Sequence, residues 1–267
     1  MAKYNYKYNN NHRIGKIKTK QGDIKTPAFL PVTTMGNKYS LDKMVLPYLN
    51  RLSQCLMVSY HYAKQMKEKP KLPLFIDSGG YASIFEDSKI KEKNNYACIV
   101  TKEGEEINPL DVLDFQERYA ELGATLDFII PPEIEKAEAK RRQELTIKNA
   151  KYVLKQKRSN SLFLYASLQC WNEKSAREAA REYVKAGFDG IAIGGLAPRV
   201  KNEEYVKKIV SVVREEAPHL ALHVFGIGKL SLLKKLWELG LDTSDSSSYA
   251  RQAVEAKPED CSPHFSL

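Results

Sequence analysis

Three carboxylates, one amide and several glycines stand where apolar runs of this 267-residue sequence give way to polar ones. The run 74–77 ends in Asp77 and continues as Ser78-Gly79-Gly80-Tyr81. The run 126–131 leads through Pro131-Pro132 to Glu133, 162–169 closes on Gln169, and 190–194 passes into Gly194-Gly195. The run 220–226 leads into Phe225-Gly226-Ile227-Gly228, and a last short one ends at Asp245. Asp and Gly after a strand are ordinary turn formers, so no single position is telling. Together they suit cleavage of a glycosidic bond, in which one carboxylate attacks the anomeric carbon and another manages a proton on the leaving group. Gln169 offers a donor and an acceptor, as a purine-like edge requires. Paired glycines admit close backbone approach to a flat ligand. Tyr81 and Phe225, each beside a glycine, are placed to sandwich a ring, or equally to pack a core.

The elements that must position these residues alternate in type. Apolar runs rich in β-formers are separated by amphipathic stretches that read as helices. Asn108-Pro109 supplies a cap and a first-turn proline, with Gly123 as the expected stop. Helices are likewise expected over 175–186, ended by Gly187, over 203–216, and over 231–239, stopped by Gly240. Continuous apolar strands alternating with helices predict a parallel sheet covered by helices. Repetition over this length favours an α/β fold closed as a (β/α)8 TIM-type barrel over a doubly wound sheet. In such a barrel the strand-to-helix turns share one rim, where function collects. Residues 89–107 break the rhythm and read as an inserted β-hairpin in a single domain spanning 1–267.

Composition narrows the classes. With 43% apolar and 10% aromatic residues the chain can bury a full core,. No stretch approaches the roughly 20 apolar residues of a membrane span, and the polar start is no secretory signal. A cytoplasmic protein is expected. Cys55, Cys98, Cys170 and Cys261 are scattered without metal or disulfide spacing, and no histidine pair has ligand spacing. A net charge of +9 suits a polyanion partner or merely a lysine-rich surface,.

In order along the chain, the motifs resemble those of the tRNA-guanine transglycosylase superfamily. Thr26-Pro27-Ala28-Phe29-Leu30-Pro31-Val32 resembles its TPxFxPV signature, and Asp77-Ser78-Gly79-Gly80-Tyr81 its DSGGF motif. Asn108-Pro109, Gln116 and Leu122-Gly123 resemble the helix before its second base-binding acid. Ser167-Leu168-Gln169, the run Phe188 to Leu196, Phe225-Gly226-Ile227-Gly228 and Gly240 to Asp245 follow in the family's order. The resemblance spans about residues 13–251. It implies that Asp245 forms a covalent glycosyl intermediate and that Asp77 contacts the base and acts as general acid/base. Ser78, Glu133, Gln169, Gly194, Gly195, Tyr81 and Phe225 would bind the base. Guanine would leave and a 7-deazaguanine (preQ0-like) would replace it, with net retention and no cofactor.

The sequence departs from that pattern in four places. The CxCxxC zinc motif and its later histidine are absent, and Cys261 with His264 cannot supply four ligands, so no metal and no C-terminal zinc subdomain is expected. Glu133 stands for an aspartate, Ala82 for a glutamine, and residues 246–251 only loosely resemble CVxPTR. These departures suit the 7-deazaguanine DNA transglycosylases better than the tRNA enzymes, so DNA is the expected acceptor and tRNA the alternative. Arg199, Lys201, Lys229 and Arg251 are the candidates for the phosphate backbone. A helper protein or a homodimer stays open, since duplex DNA must expose the base. Two rivals are a phosphate-binding barrel enzyme acting on a small metabolite, and a non-catalytic binding subunit. The first leaves the three acids without a shared task, and the second has no use for a nucleophile.

Overall fold

The computed structural model describes residues 3–9, 12–36 and 46–248, so Arg251, Cys261 and His264 lie outside the described residues. Eight parallel strands form one sheet: β4 (Ala28–Pro31), β5 (Leu56–Val58), β6 (Leu74–Ile76), β10 (Leu122–Ala124), β11 (Phe163–Leu168), β12 (Gly190–Ile193), β13 (Ala221–Val224) and β14 (Thr243–Ser246). Each pairs with the next in the chain, and β14 returns to β4 with Asp245 opposite Leu30. The ring closes between β4 and β5, where Val32 bridges Met57 and Thr33 N donates to Met57 O at 2.9 Å. The result is the expected (β/α)8 TIM-type barrel.

Alternation along each strand divides two cores. Outward residues such as Leu164, Ala166, Ile191, Ile193, Leu222 and Val224 pack against the helices. Four of those helices are α2 (Lys136–Gln156), α3 (Glu173–Ala186), α4 (Glu203–Glu216) and α5 (Leu230–Glu238), preceded by α1 (Pro109–Tyr119). Inward residues fill the barrel, among them Met57, Phe75, Phe163, Tyr165 and Ala192. Tyr165 stacks on Phe75 with ring centroids 5.3 Å apart. Room for that stack comes from Gly190, where an added Cβ would lie 2.6 Å from the Tyr165 ring and 2.8 Å from the backbone O of Ala221. Backbone cannot yield as a flexible side chain can. Gly190→Ala is therefore expected to cost about 1–3 kcal/mol through overpacking, read as a lowered urea midpoint with an unchanged slope; an unaltered midpoint would contradict this packing.

Local signals explain the helix ends. Asn108 Oδ1 accepts from Leu110 N at 2.9 Å ahead of Pro109 in α1,. Asn172 and Ser175 form a reciprocal capping box on α3, which Gly187 ends at φ +86°,. Among the described residues no helix is long and apolar enough to cross a membrane.

The structure corrects three expectations. Gly123 does not stop a helix: α1 ends at Tyr119, and Gly123 lies inside β10. A Cβ there would meet Gln116 Oε1 at 2.6 Å, so the glycine makes room for an amide that donates to Ile76 O and Ala124 O. The fourth barrel strand is accordingly Leu122–Ala124, and not 126–131. That apolar run is buried because Leu126 and Phe128 join a second cluster with Val58, Ile76 and Leu145; apolarity records burial and does not by itself imply ladder pairing.

The insertion is also larger than a hairpin. It forms the antiparallel sheet β7 (Lys89–Glu92), β8 (Ala97–Val100) and β9 (Glu106–Ile107), held to α2 by Asn149, which bonds both the N and O of Ala97. Finally, a sheet not read from the sequence, β1 (Tyr4–Asn9), β2 (His12–Ile17) and β3 (Ile24–Thr26), seals the lower end of the barrel. Its Ile17 and Ile24 join the interior cluster.

Candidate active site

Asp77 and Asp245 stand at the C-terminal ends of β6 and β14, on the same rim. Asp77 Oδ1 accepts from the backbone N–H of Tyr60 at 3.0 Å and of Gly79 at 2.9 Å. Burial pushes its carboxyl up to about 6 against those bonds, and the negative charge of nearby Asp245 adds to the rise,. The two acids therefore share one electrostatic space. Asp245 is 6% exposed, and its Oδ1 accepts from Gly226 N and from His223 Nε2, each at 3.0 Å.

The raised Asp77 has a consequence for stability. Its folded value lies above its unfolded value of 3.8, so the native state binds the extra proton between them. The associated stabilisation is complete below pH 4 and is lost as pH rises through about 6,. Asparagine keeps the acceptor for Tyr60 and Gly79 but never ionises. Asp77→Asn should therefore match the parent near pH 4 and exceed it by up to about 3 kcal/mol above pH 6. Urea unfolding at pH 4, 5, 6 and 7.5 measures this; a difference that does not grow with pH would refute the shift.

Across the rim lies a third acid, buried, that the sequence reading missed. Asp127 follows β10 in the extended run 126–130, which has no ladder partner. Side chains tie that run down instead: Thr146 Oγ1 accepts from Phe128 N, Ser83 Oγ from Ile129 N and Gln169 Oε1 from Ile130 N. With Leu126 and Phe128 directed into the apolar cluster, alternation turns Asp127 the other way,. Its Oδ2 accepts from Gln169 Nε2 at 2.6 Å and its Oδ1 from Ser78 Oγ at 3.0 Å. Burial raises its carboxyl above the ordinary range. The available signal was an acid flanked by Leu126 and Phe128 in an otherwise apolar run.

Glu133, the acid expected here, is exposed on the turn before α2. The strand end expected at 131 lies at Ala124, so Glu133 falls beyond the strand end from which it was expected to project.

The structure gives the glycines a packing role of their own. A Cβ on Gly194 would lie 2.1 Å from Gln169 Nε2, and one on Gly80 would lie 2.1 Å from Asp127 Oδ1. Gly195, at φ +70°, would meet Gln169 Oε1 at 2.9 Å. These positions give space to the acid–amide pair of the site itself. Tyr81 is 62% exposed, and its ring partner is Phe85, edge-on at 5.7 Å. Phe225 is half-buried and packs on His223 at 4.8 Å.

The basic candidates separate. Arg199 Nη1 donates to Ile130 O and Gly195 O, bracing the two loops that flank Gln169. Lys229 pairs with Glu203 at 2.7 Å, an exposed contact that a phosphate could exchange,. Lys201 is exposed beside a groove of about 300 Å³ lined also by Pro132, Pro198, Asn202 and Tyr205. Cys55, Cys98 and Cys170 are buried free thiols.

His223 is the other residue that sequence reasoning passed over. It is fully buried in the barrel, and only its phase with Phe225 on an apolar strand hinted at an inward course.

Comparison with known proteins gives concordant matches. The sequence profile described as Queuine tRNA-ribosyltransferase matches residues 9–257. The chain is 26% identical over 251 residues to a tRNA-guanine(15) transglycosylase of Methanocaldococcus jannaschii, a match covering 91% of this chain and 38% of the relative. It is 25% identical over 253 residues to the protein of that name from Pyrococcus abyssi, covering 91% and 41%. Identity to a Queuine tRNA-ribosyltransferase of Thermodesulfovibrio yellowstonii is 27% over 275 residues, covering 90% and 68%. The chain thus spans less than half the length of the archaeal relatives it matches.

Proposed function

The chain belongs to the Queuine tRNA-ribosyltransferase family, and from that premise we propose that it is a guanine transglycosylase, a pentosyltransferase working on a nucleic acid. The observation that carries this reading is the pair Asp77 and Asp245 at the C-terminal ends of two strands, on one rim of the barrel. A side-chain oxygen of Asp245 attacks C1′ of the nucleotide. The C1′–N9 bond breaks, its electron pair leaves with guanine, and Asp77 in its acid form protonates the departing base. Asp77, now a carboxylate, takes a proton from the incoming base, which attacks C1′ and returns the ester electrons to Asp245. Two inversions leave the configuration unchanged. A carboxyl near 6 suits both duties, since each form is populated near neutral pH,.

The base edge is read by Asp127, Gln169 and Ser78, a buried set of donors and acceptors. Asp127 takes the role that the resemblance assigned to Glu133. Phe225 and Tyr81 flank the ring, and Gly194 and Gly195 leave room for the amide. Lys201 and Lys229 meet the phosphates on the rim, while Arg199 supports the loops; Arg251 keeps the phosphate role that the sequence gave it.

The incoming base is a 7-deazaguanine. DNA is our reading for the acceptor, because the sequence departs from the tRNA-enzyme pattern at Ala82, shortly after Asp77, and at 246–251, directly after Asp245. The names of the relatives favour tRNA as the second reading. Incubating the protein with labelled guanine and either tRNA or single-stranded DNA separates them. Incorporation into DNA and not tRNA is expected, the reverse would reassign the polymer, and incorporation into neither would reject base exchange.

A further inference from the structure

The strongest unassigned feature is the ring of His223 against the nucleophile. It is fully buried on β13, between Phe75 at 5.0 Å, Phe225 at 4.8 Å and Tyr165 at 6.0 Å, so packing fixes its plane. One nitrogen faces Asp245 Oδ1 at 3.0 Å and the other faces Thr243 Oγ1 at 2.9 Å. An ionised carboxylate only accepts, so Nε2 carries the hydrogen, and in the neutral ring Nδ1 accepts from the Thr243 hydroxyl. Gly226 N–H supplies a second donor to the same oxygen at 3.0 Å. Among the described residues no hydrogen bond engages Oδ2.

We propose that His223 and the Gly226 backbone N–H hold Oδ1 of Asp245 and thereby make Oδ2 the oxygen that bonds to C1′, with His223 a positioning residue for the nucleophile. This assignment rests on the base-exchange reading. In the first half-reaction the Oδ2–C1′ bond forms as C1′–N9 breaks, and Oδ1 becomes the carbonyl oxygen of the glycosyl ester. In the second half the C1′–Oδ2 bond breaks and its electron pair returns to the carboxylate. Negative charge then regrows on Oδ1, where two donors already point. They orient the attack and keep the ester easy to cleave. A ring that merely filled space would do neither.

His223→Phe keeps an aromatic ring among Phe75, Tyr165 and Phe225 but removes the donor, while His223→Gln returns an amide N–H near the place of Nε2. The trapped protein–nucleic acid adduct is chased with guanine, and steady-state exchange is measured beside it. His223→Phe is expected to slow adduct breakdown and kcat about 100-fold with both KM values within about threefold, and His223→Gln to regain about tenfold or more. Breakdown at the parental rate in His223→Phe, no gain in His223→Gln, or KM rising in step with the loss of kcat would overturn the assignment. Thermal melting of each variant separates misfolding from mispositioning. Long-range ¹H–¹⁵N spectra of the parent read the ring directly: the Nε2–H form is expected, and an Nδ1–H form would overturn the proposal. If the parent forms no adduct with tRNA or DNA, base exchange falls, while the ring spectra still decide which nitrogen faces Asp245.

Discussion

Asp245→Asn is expected to abolish base exchange, with a loss of at least about 10⁴-fold in kcat, and to leave the fold intact. The amide oxygen still accepts from His223 and Gly226, so the buried bonds at Oδ1 survive. The neutral amide cannot form a glycosyl ester. Two measurements check this: incorporation of labelled guanine into nucleic acid, and a covalent adduct on denaturing gels when no incoming base is supplied. Both should vanish while the melting temperature stays within about 2 °C, equivalent to about 1 kcal/mol for a chain of this size. Residual incorporation at even a hundredth of the parental rate would mean that another group is the nucleophile. A binding subunit would show neither signal in the parent.

Three residues earlier, Asp242→Asn should do the reverse. Asp242 is fully buried at the opposite end of the barrel, where β14 begins. Its Oδ1 accepts from Arg13 Nε at 3.2 Å and from Tyr4 Oη, and its Oδ2 from Arg214 Nη2 and Leu222 N, each at 2.8 Å. It is the anion between two guanidiniums, one of which, Arg13, is 2% exposed. Removing one partner of a buried ionic set leaves the others desolvated and unpaired, typically a loss of about 3–5 kcal/mol. The melting temperature should fall by roughly 5–10 °C, and the N-terminal sheet that carries Tyr4 and Arg13 should become protease-sensitive first. Whatever protein stays folded should keep a kcat close to the parental value. A variant that melts like the parent but is inactive would show that Asp242 belongs to the site.

The contrast between these two aspartates shows what was legible. Their odd spacing on a short strand puts them on opposite faces. The alternating apolar runs and amphipathic stretches were enough to announce a barrel, because each strand is covered on both sides and each helix on one. Asp77, Gln169, Gly194 and Asp245 could be gathered from sequence alone, since a closed parallel barrel puts every strand end on the same rim. β4 and β5, of four and three residues, were not read as strands: no glycine pair directly follows them as Gly79-Gly80 follows the equally short β6. The polar, tyrosine-rich β1 carries little apolar pattern because most of it faces solvent.

Asp127 and His223 were hidden for a different reason. Burial of a polar side chain is favourable only when particular partners meet it, and those partners come from distant strands: Ser78 and Gln169 for the acid, Thr243 and Asp245 for the imidazole. Spacing along the chain carries no record of such meetings. The amino-acid order by itself determined the alternating elements, the barrel and the two rim aspartates, because these follow from local periodicity and a small set of strand connections. Only the tertiary structure decided which acid faces the amide, which oxygen of Asp245 is held, and which arginine braces a loop, because each depends on distances between side chains that the chain brings together from its far ends.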